Sequence, residues 1–345
     1  MKVLIVGSGG REHAIAWSVA KSPKVDKIYC APGNAGISEY AECVAIGAME
    51  FEKLADFAEE NKVDFMFEAS VGGGIPIIRP LCQCLAANYI EGIAGILNGT
   101  TNFILTMMIE EGMSFEEALK IAQEKGYAEK DPTADVEGHD ACRKVCILAS
   151  LAFGKHVYPN QVETEGITKI SLEDVSYIEN AGGVIKLLGQ IKYINDNEIA
   201  AFVSPAVVYN GSQLASVKDV FNAILVRGDA VGDVCFYGPG AGKLPTASAV
   251  VADIIDCAKH SDRKKIFGWG EGSENYVVDY KEKIEMPFYV RAKATPNEVN
   301  SKFADVKFLS RKGQPSDEVA FITDYMTENK LNKKLDGMNV INTIK

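Results

Sequence analysis

The chain has 345 residues, enough for two or three domains, and its 47% hydrophobic and 24% charged residues are ordinary for a soluble globular protein. A formal charge of −11 speaks against a general nucleic-acid or anionic-membrane partner. The apolar runs are too short or too interrupted to span a bilayer, no signal peptide opens the chain, and the eight cysteines lack zinc-type paired spacing, so a cytoplasmic protein with reduced thiols is expected.

In chain order, residues 3–6 read as a buried strand, Gly7-Ser8-Gly9-Gly10 as a tight turn and 11–20 as a helix. A strand over 27–30, a turn over 31–36 and a helix over 51–61 continue a β-α-β-α parallel sheet. Gly7, Gly9 and Gly10 leave backbone N–H groups free to approach a phosphate at a helix N-terminus. The dinucleotide fingerprint is incomplete: Glu12 stands where its third glycine belongs, and no acid closes the second strand. Glycines that merely turn the chain are the other reading.

Residues 63–67 read as a strand running into Glu68-Ala69-Ser70-Val71-Gly72-Gly73-Gly74-Ile75-Pro76. Three successive glycines permit a sharp turn whose carbonyl oxygens suit a hard cation, or a flexible turn before a helix. Residues 93–97 read as a strand, Asn98-Gly99-Thr100-Thr101-Asn102 as the cap of a helix over 103–111, and Ser114 with Glu117 as a capping box.

The stretch 126–144 concentrates the acids Glu129, Asp131, Asp135, Glu137 and Asp140 before a helix over 138–153, with Pro132 opposing a helix through its first part. Asp140 and Lys144 share a helical face. A lysine among carboxylates suits binding of an amino-acid ammonium group and protonation of a nearby carbonyl oxygen. The same spacing also describes an acidic surface loop and an exposed ion pair. Strands over 185–194, 199–209 and 221–227 suggest a mostly antiparallel sheet, followed by a Gly238–Gly242 turn and a helix over 246–259. Residues 261–273 read as a linker, and 287–344 as the β-α-β-β-α-β order of a ferredoxin-like domain. His13, His139, His156 and His260 form no metal or nucleophile set.

Two resemblances organise these elements. Lys2-Val3-Leu4-Ile5-Val6-Gly7-Ser8-Gly9-Gly10-Arg11-Glu12-His13-Ala14 and Ala31-Pro32-Gly33-Asn34-Ala35-Gly36 resemble the N-terminal domain of phosphoribosylamine–glycine ligase over about residues 1–64. Nothing later resembles that enzyme's ATP-grasp part, so ligase activity is not implied. The Phe67–Pro76 and Asn98–Asn102 motifs, the stretch 126–144, and Gly238-Pro239-Gly240-Ala241-Gly242 with Pro245-Thr246-Ala247-Ser248-Ala249 resemble homoserine dehydrogenase from about residue 63 onward.

That resemblance implies NAD(P)H-dependent reduction of L-aspartate 4-semialdehyde to L-homoserine, on the route to threonine and methionine. It implies Lys144 as proton donor with Asp140 beside it, Glu129 and Asp135 as substrate-binding acids, and Gly238 and Gly240 near the cofactor, with Gly7, Gly9 and Gly10 offered for its phosphates. A monovalent cation, usually sodium, is implied at Glu68, Val71, Gly73 and Ile75, largely through main-chain oxygens, and a homodimer is implied as the assembly.

The expected fold is α/β. It comprises a truncated Rossmann-like parallel sheet (1–95), an α+β substrate and dimerisation domain with a mostly antiparallel sheet (96–259), and a small ACT-like domain (260–345). The last either binds a regulatory amino acid or serves for packing. The family's Thr-x-Asn-Lys motif has no counterpart among the first 65 residues. An inactive chimera without an intact NAD(P) site is therefore the alternative expectation.

Overall fold

The structure is a computed structural model and describes residues 1–260 and 268–345. The chain divides into two units, Met1–Phe67 with Val250–Phe267, and Glu68–Ala249 with Gly268–Lys345.

In the first unit, the strands Lys2–Gly7, Lys27–Pro32 and Glu42–Cys43 form a parallel sheet in that spatial order. The helix Gly10–Val19 packs Ala16 and Ile15 onto Ile5, Ile28 and Cys30. The expected β-α-β start is present, and the two-residue strand Glu42–Cys43 is an addition that too short a run of residues concealed. One expectation fails. Residues 63–67 form no strand. Lys62 has a φ of 55°, which turns the chain just after the helix Phe51–Glu60, and no neighbouring strand is bonded to the stretch that follows.

The second unit carries two sheets. The larger has six strands, Glu163–Thr164, Glu198–Tyr209, Gly183–Asn195, Ile90–Ile96, Phe221–Gly228 and Gly232–Pro239, in that spatial order. Every neighbouring pair is antiparallel except the first, so the mostly antiparallel sheet is present. The strand Gly232–Pro239 was not foreseen, because alternate exposure on an edge leaves little apolar pattern to read. The helix His139–Phe153 lies on this sheet. Gly189 permits the approach: a Cβ there would sit 2.5 Å from Val145 Cγ2 and 2.8 Å from Leu97 Cδ1.

The four-stranded sheet consists of Tyr289–Lys293, Val306–Leu309, Glu318–Thr323 and Asn339–Ile344. Its first strand lies between the third and fourth, and all pairs are antiparallel, as the ferredoxin-like order requires. The helices Pro296–Lys302 and Glu328–Leu335 cover one face, burying Val299, Leu331 and Leu335 against Phe288, Val290 and Phe321. Arg291 ties this sheet to the helix Leu172–Asn180: its Nε lies 2.9 Å from Asp174 Oδ1, while Tyr289 Oη and Asn342 Nδ2 donate to the same carboxylate.

The expected linker over 261–273 is divided. Residues 261–267 lie outside the described residues. The described remainder is pinned, because Gly270 donates to the Gly154 carbonyl and accepts from the His156 amide.

Candidate active site

The strand Ile90–Ile96 leads directly into the helix Gly99–Glu111, and Asn98 caps it by accepting from the Thr101 amide at 2.9 Å. Only the Oδ1 of Asn98 faces the helix. Its Nδ2 turns outward and donates to Asp135 Oδ1 at 2.7 Å and to Asp140 Oδ2 at 2.8 Å. One amide therefore bridges two carboxylates supplied from different segments. Asp135 belongs to the one-turn helix Thr133–Val136, which begins just past Pro132, as the missing N–H of proline permits. Asp140 opens the helix His139–Phe153, whose start is set by Gly138 at a φ of 82°.

One turn along, Lys144 Nζ donates to Asp140 Oδ2 at 2.7 Å and to the Leu97 carbonyl at 2.8 Å. Two of the three ammonium donors are engaged among the described residues, which leaves one for a ligand. The ammonium is half-buried, at 19% side-chain exposure against 31% for Asp140. Burial pushes the Asp135 carboxyl above its ordinary range, the Asn98 hydrogen bond pulls it back, and the Asp140 charge adds to the upward push.

The sequence paired Asp140 with Lys144 by helical spacing, and the structure joins Asp135 to them through Asn98. Glu129 is exposed, and its carboxylate makes no hydrogen bond or ion pair among the described residues. It is not part of the bonded cluster. The linking role of Asn98 was missed: its caps-a-helix reading was correct but accounted for only one end of the amide.

A second set of predicted residues lies in the glycine turn after Phe67. Glu68 is 1% exposed, and its carboxylate accepts from the amides of Ile77, Ile78 and Arg79 at 2.7–2.9 Å. It fixes the following segment, so a cation here would draw on main-chain oxygens. Gly72 and Gly73 take φ values of 72° and 57°, the conformation that such a turn requires. A Cβ on Gly73 would lie 2.2 Å from the Gly240 carbonyl oxygen, and one on Gly74 would lie 2.5 Å from Pro245. The turn containing Val71, Gly73 and Ile75 thus sits directly on Gly238, at the end of the strand Gly232–Pro239, and on Gly240, which begins the loop after it. Hard carbonyl oxygens suit a monovalent cation, and a glycine-lined approach suits a planar ligand.

In the other unit, the Gly7–Gly10 turn holds an anion of its own. Glu12 Oε2 accepts from the Gly9 amide at 2.7 Å, and a Cβ on Gly7 would touch the Glu12 side chain at 2.8 Å. A phosphate approaching Gly7, Gly9 and Gly10 has to displace that carboxylate.

The profile described as "Homoserine dehydrogenase" matches residues 76–255, more than half of the chain. The chain belongs to the homoserine dehydrogenase family. A second profile, "Phosphoribosylglycinamide synthetase, N domain", matches residues 1–94. The homoserine dehydrogenase of Bacillus subtilis is 48% identical over 209 residues, covering 61% of this chain and 48% of that protein. The chain spans about half the length of the curated relatives it matches.

A solved homoserine dehydrogenase from Thiobacillus denitrificans has a TM-score of 0.75 and 32% identity, covering all of this chain and 81% of that one. A hyperthermophilic archaeal homoserine dehydrogenase mutant, solved in complex with NADPH, has a TM-score of 0.52 and 27% identity, covering 77% of this chain and 73% of that one. Among the described residues, no helix is long and apolar enough to cross a membrane.

Proposed function

We propose that this homoserine dehydrogenase family member catalyses the NAD(P)H-dependent reduction of L-aspartate 4-semialdehyde to L-homoserine, and the reverse, in the cytoplasm. The observation that carries this reading is the Lys144–Asp140–Asn98–Asp135 cluster, in which an ammonium keeps one donor free beside two fixed carboxylates. Lys144 is the proton donor. Its free N–H meets the substrate carbonyl oxygen, stabilises the alkoxide that forms, and transfers the proton to it. Asp140 and the Leu97 carbonyl hold Lys144 in place. Asp135 and the free carboxylate of Glu129 bind the substrate ammonium group.

Gly238 and Gly240 would lie near the nicotinamide and pyrophosphate of a bound NAD(P), and main-chain oxygens of Glu68, Val71, Gly73 and Ile75 would hold sodium. When bound, the reduced nicotinamide supplies the hydride. The glycine-lined contact between Gly73 and Gly240 supports both assignments. The Gly7–Gly10 turn fits the phosphates only after Glu12 swings away. The assembly is a homodimer; the parallel sheet of the first unit carries the nucleotide role, the six-stranded sheet, which includes Ile90–Ile96, the substrate role, and the four-stranded sheet the ACT-like role. The product feeds threonine and methionine synthesis.

The test is oxidation of NADPH and NADH by purified chain with aspartate semialdehyde, alongside Lys144→Ala. Turnover that drops at least a hundredfold in the variant supports the reading. A folded chain with no turnover with either cofactor would overturn it in favour of an inactive family member.

A further inference from the structure

Asn222 stands second in the strand Phe221–Gly228, opposite Gly238 on the neighbouring strand. It is 1% exposed, and among the described residues neither its Nδ2 nor its Oδ1 has a hydrogen-bond partner. Two glycine segments converge on it. A Cβ on Gly240 would lie 2.2–2.4 Å from the atoms of this amide, and one on Gly99 would lie 3.5 Å from its Oδ1. Gly240 itself rests on Gly73, and the Gly74 amide donates to the Pro239 carbonyl at 3.2 Å.

A buried amide with both ends unmade bears its full desolvation cost, and a leucine of similar volume would not. A carboxamide presents a donor and an acceptor side by side, and a peptide group presents the complement. The segment lying over Asn222 offers the peptide groups of Gly240, Ala241 and Gly242, and Gly240 brings its backbone against the amide with no side chain between them, whereas Pro239 offers only a carbonyl.

We propose that Asn222 is a positioning residue, whose buried carboxamide latches the Gly240–Gly242 loop by pairing with its peptide groups when the nicotinamide ligand is bound. The inference rests on the assignment of Gly238 and Gly240 to the cofactor site. On this reading the amide stays unpaired until the ligand binds. In the bound chain the latch closes, so that part of the ligand's binding energy is set by the amide.

The experiment compares the full chain with Asn222→Leu. Thermal unfolding is followed without ligand and across an NADPH titration, and cofactor KM and kcat are read separately. In the free state the variant unfolds at the same or a higher temperature than the parent, because an unmade polar group has been removed. Its NADPH affinity, read from the ligand-dependent shift, falls about tenfold, with cofactor KM rising in step and kcat changing less than threefold.

A lower unfolding temperature in the free variant overturns the proposal, since the amide is then satisfied in the free chain and serves structure alone. Unchanged NADPH affinity in the variant also overturns it. A parent chain that itself shows no shift with NADPH refutes the cofactor assignment, and the latch falls with it. Should leucine prevent folding, Asn222→Ala makes the same comparison.

Discussion

The substitution Asn98→Asp tests the centre of the candidate site. Aspartate keeps the oxygen that caps the helix Gly99–Glu111, so the helix start is preserved. It replaces the Nδ2 that donates at 2.7 Å to Asp135 and 2.8 Å to Asp140 with a third carboxylate oxygen. Two hydrogen bonds to charged acceptors are lost, at about 1.5–3 kcal/mol each. A new like-charge contact adds up to about 4 kcal/mol per pair at about 4 Å with an effective dielectric near 20, reduced by the partial exposure of Asp140.

The two lost hydrogen bonds alone come to about 3–6 kcal/mol, and the like-charge contact adds to that at pH 8. The folded carboxyls then titrate above their unfolded range. Between the two the folded state binds more protons, and stability falls as pH rises. The deficit relative to the parent therefore shrinks on going from pH 8 to pH 5. Asn98→Ser, which keeps a cap and adds no charge, loses about 3–6 kcal/mol with little pH dependence. Urea unfolding of the three proteins at both pH values measures this. An aspartate variant whose deficit is the same at pH 5 and pH 8 would refute the bridging geometry.

Three other outcomes are expected. Glu12→Ala clears the Gly9 amide of its own carboxylate, so inorganic phosphate or NADPH protects the first unit from thermal unfolding more strongly than in the parent; equal protection counts against phosphate binding at Gly7, Gly9 and Gly10. Lys186 is 2% exposed, donates to Asn102 Oδ1 and the Val217 carbonyl, and is pushed by burial down to about 8. Between that value and its unfolded pKa the unfolded chain binds more protons, so parent stability gains with rising pH above 8, and Lys186→Met flattens the slope measured by urea unfolding between about pH 8 and 9.5. Asp174→Asn leaves the buried Arg291 without its nearest charge partner, and a loss of about 3–5 kcal/mol is expected; a calorimetric change under about 1 kcal/mol means that the pair does not hold the ferredoxin-like sheet to the helix Leu172–Asn180.

The sequence determined what depends on neighbours along the chain. Helical spacing placed Asp140 and Lys144 on one face, and the structure joins them at 2.7 Å. The Ser114–Glu117 capping box, the long hairpin strands and the β-α-β-β-α-β tail follow from local patterns of polarity and turn residues, and they stand where expected. The same local logic misled at residues 63–67, because a strand exists only where a partner strand is bonded, and none is. It missed Gly232–Pro239 for the converse reason: pairing with Phe221–Gly228 makes that segment a strand.

Tertiary structure alone decided the roles of the amides. Nothing in the spacing of Asn98, Asp135 and Asp140 shows that one Nδ2 reaches both acids across 37 and 42 residues. Nor does composition show that Asn222 is buried with both ends unpaired, or that Glu12 fills the turn read as a phosphate site. Hydrogen bonds between distant segments depend on where packing brings those segments, and close approach at Gly73 and Gly240 is fixed by the whole core around them.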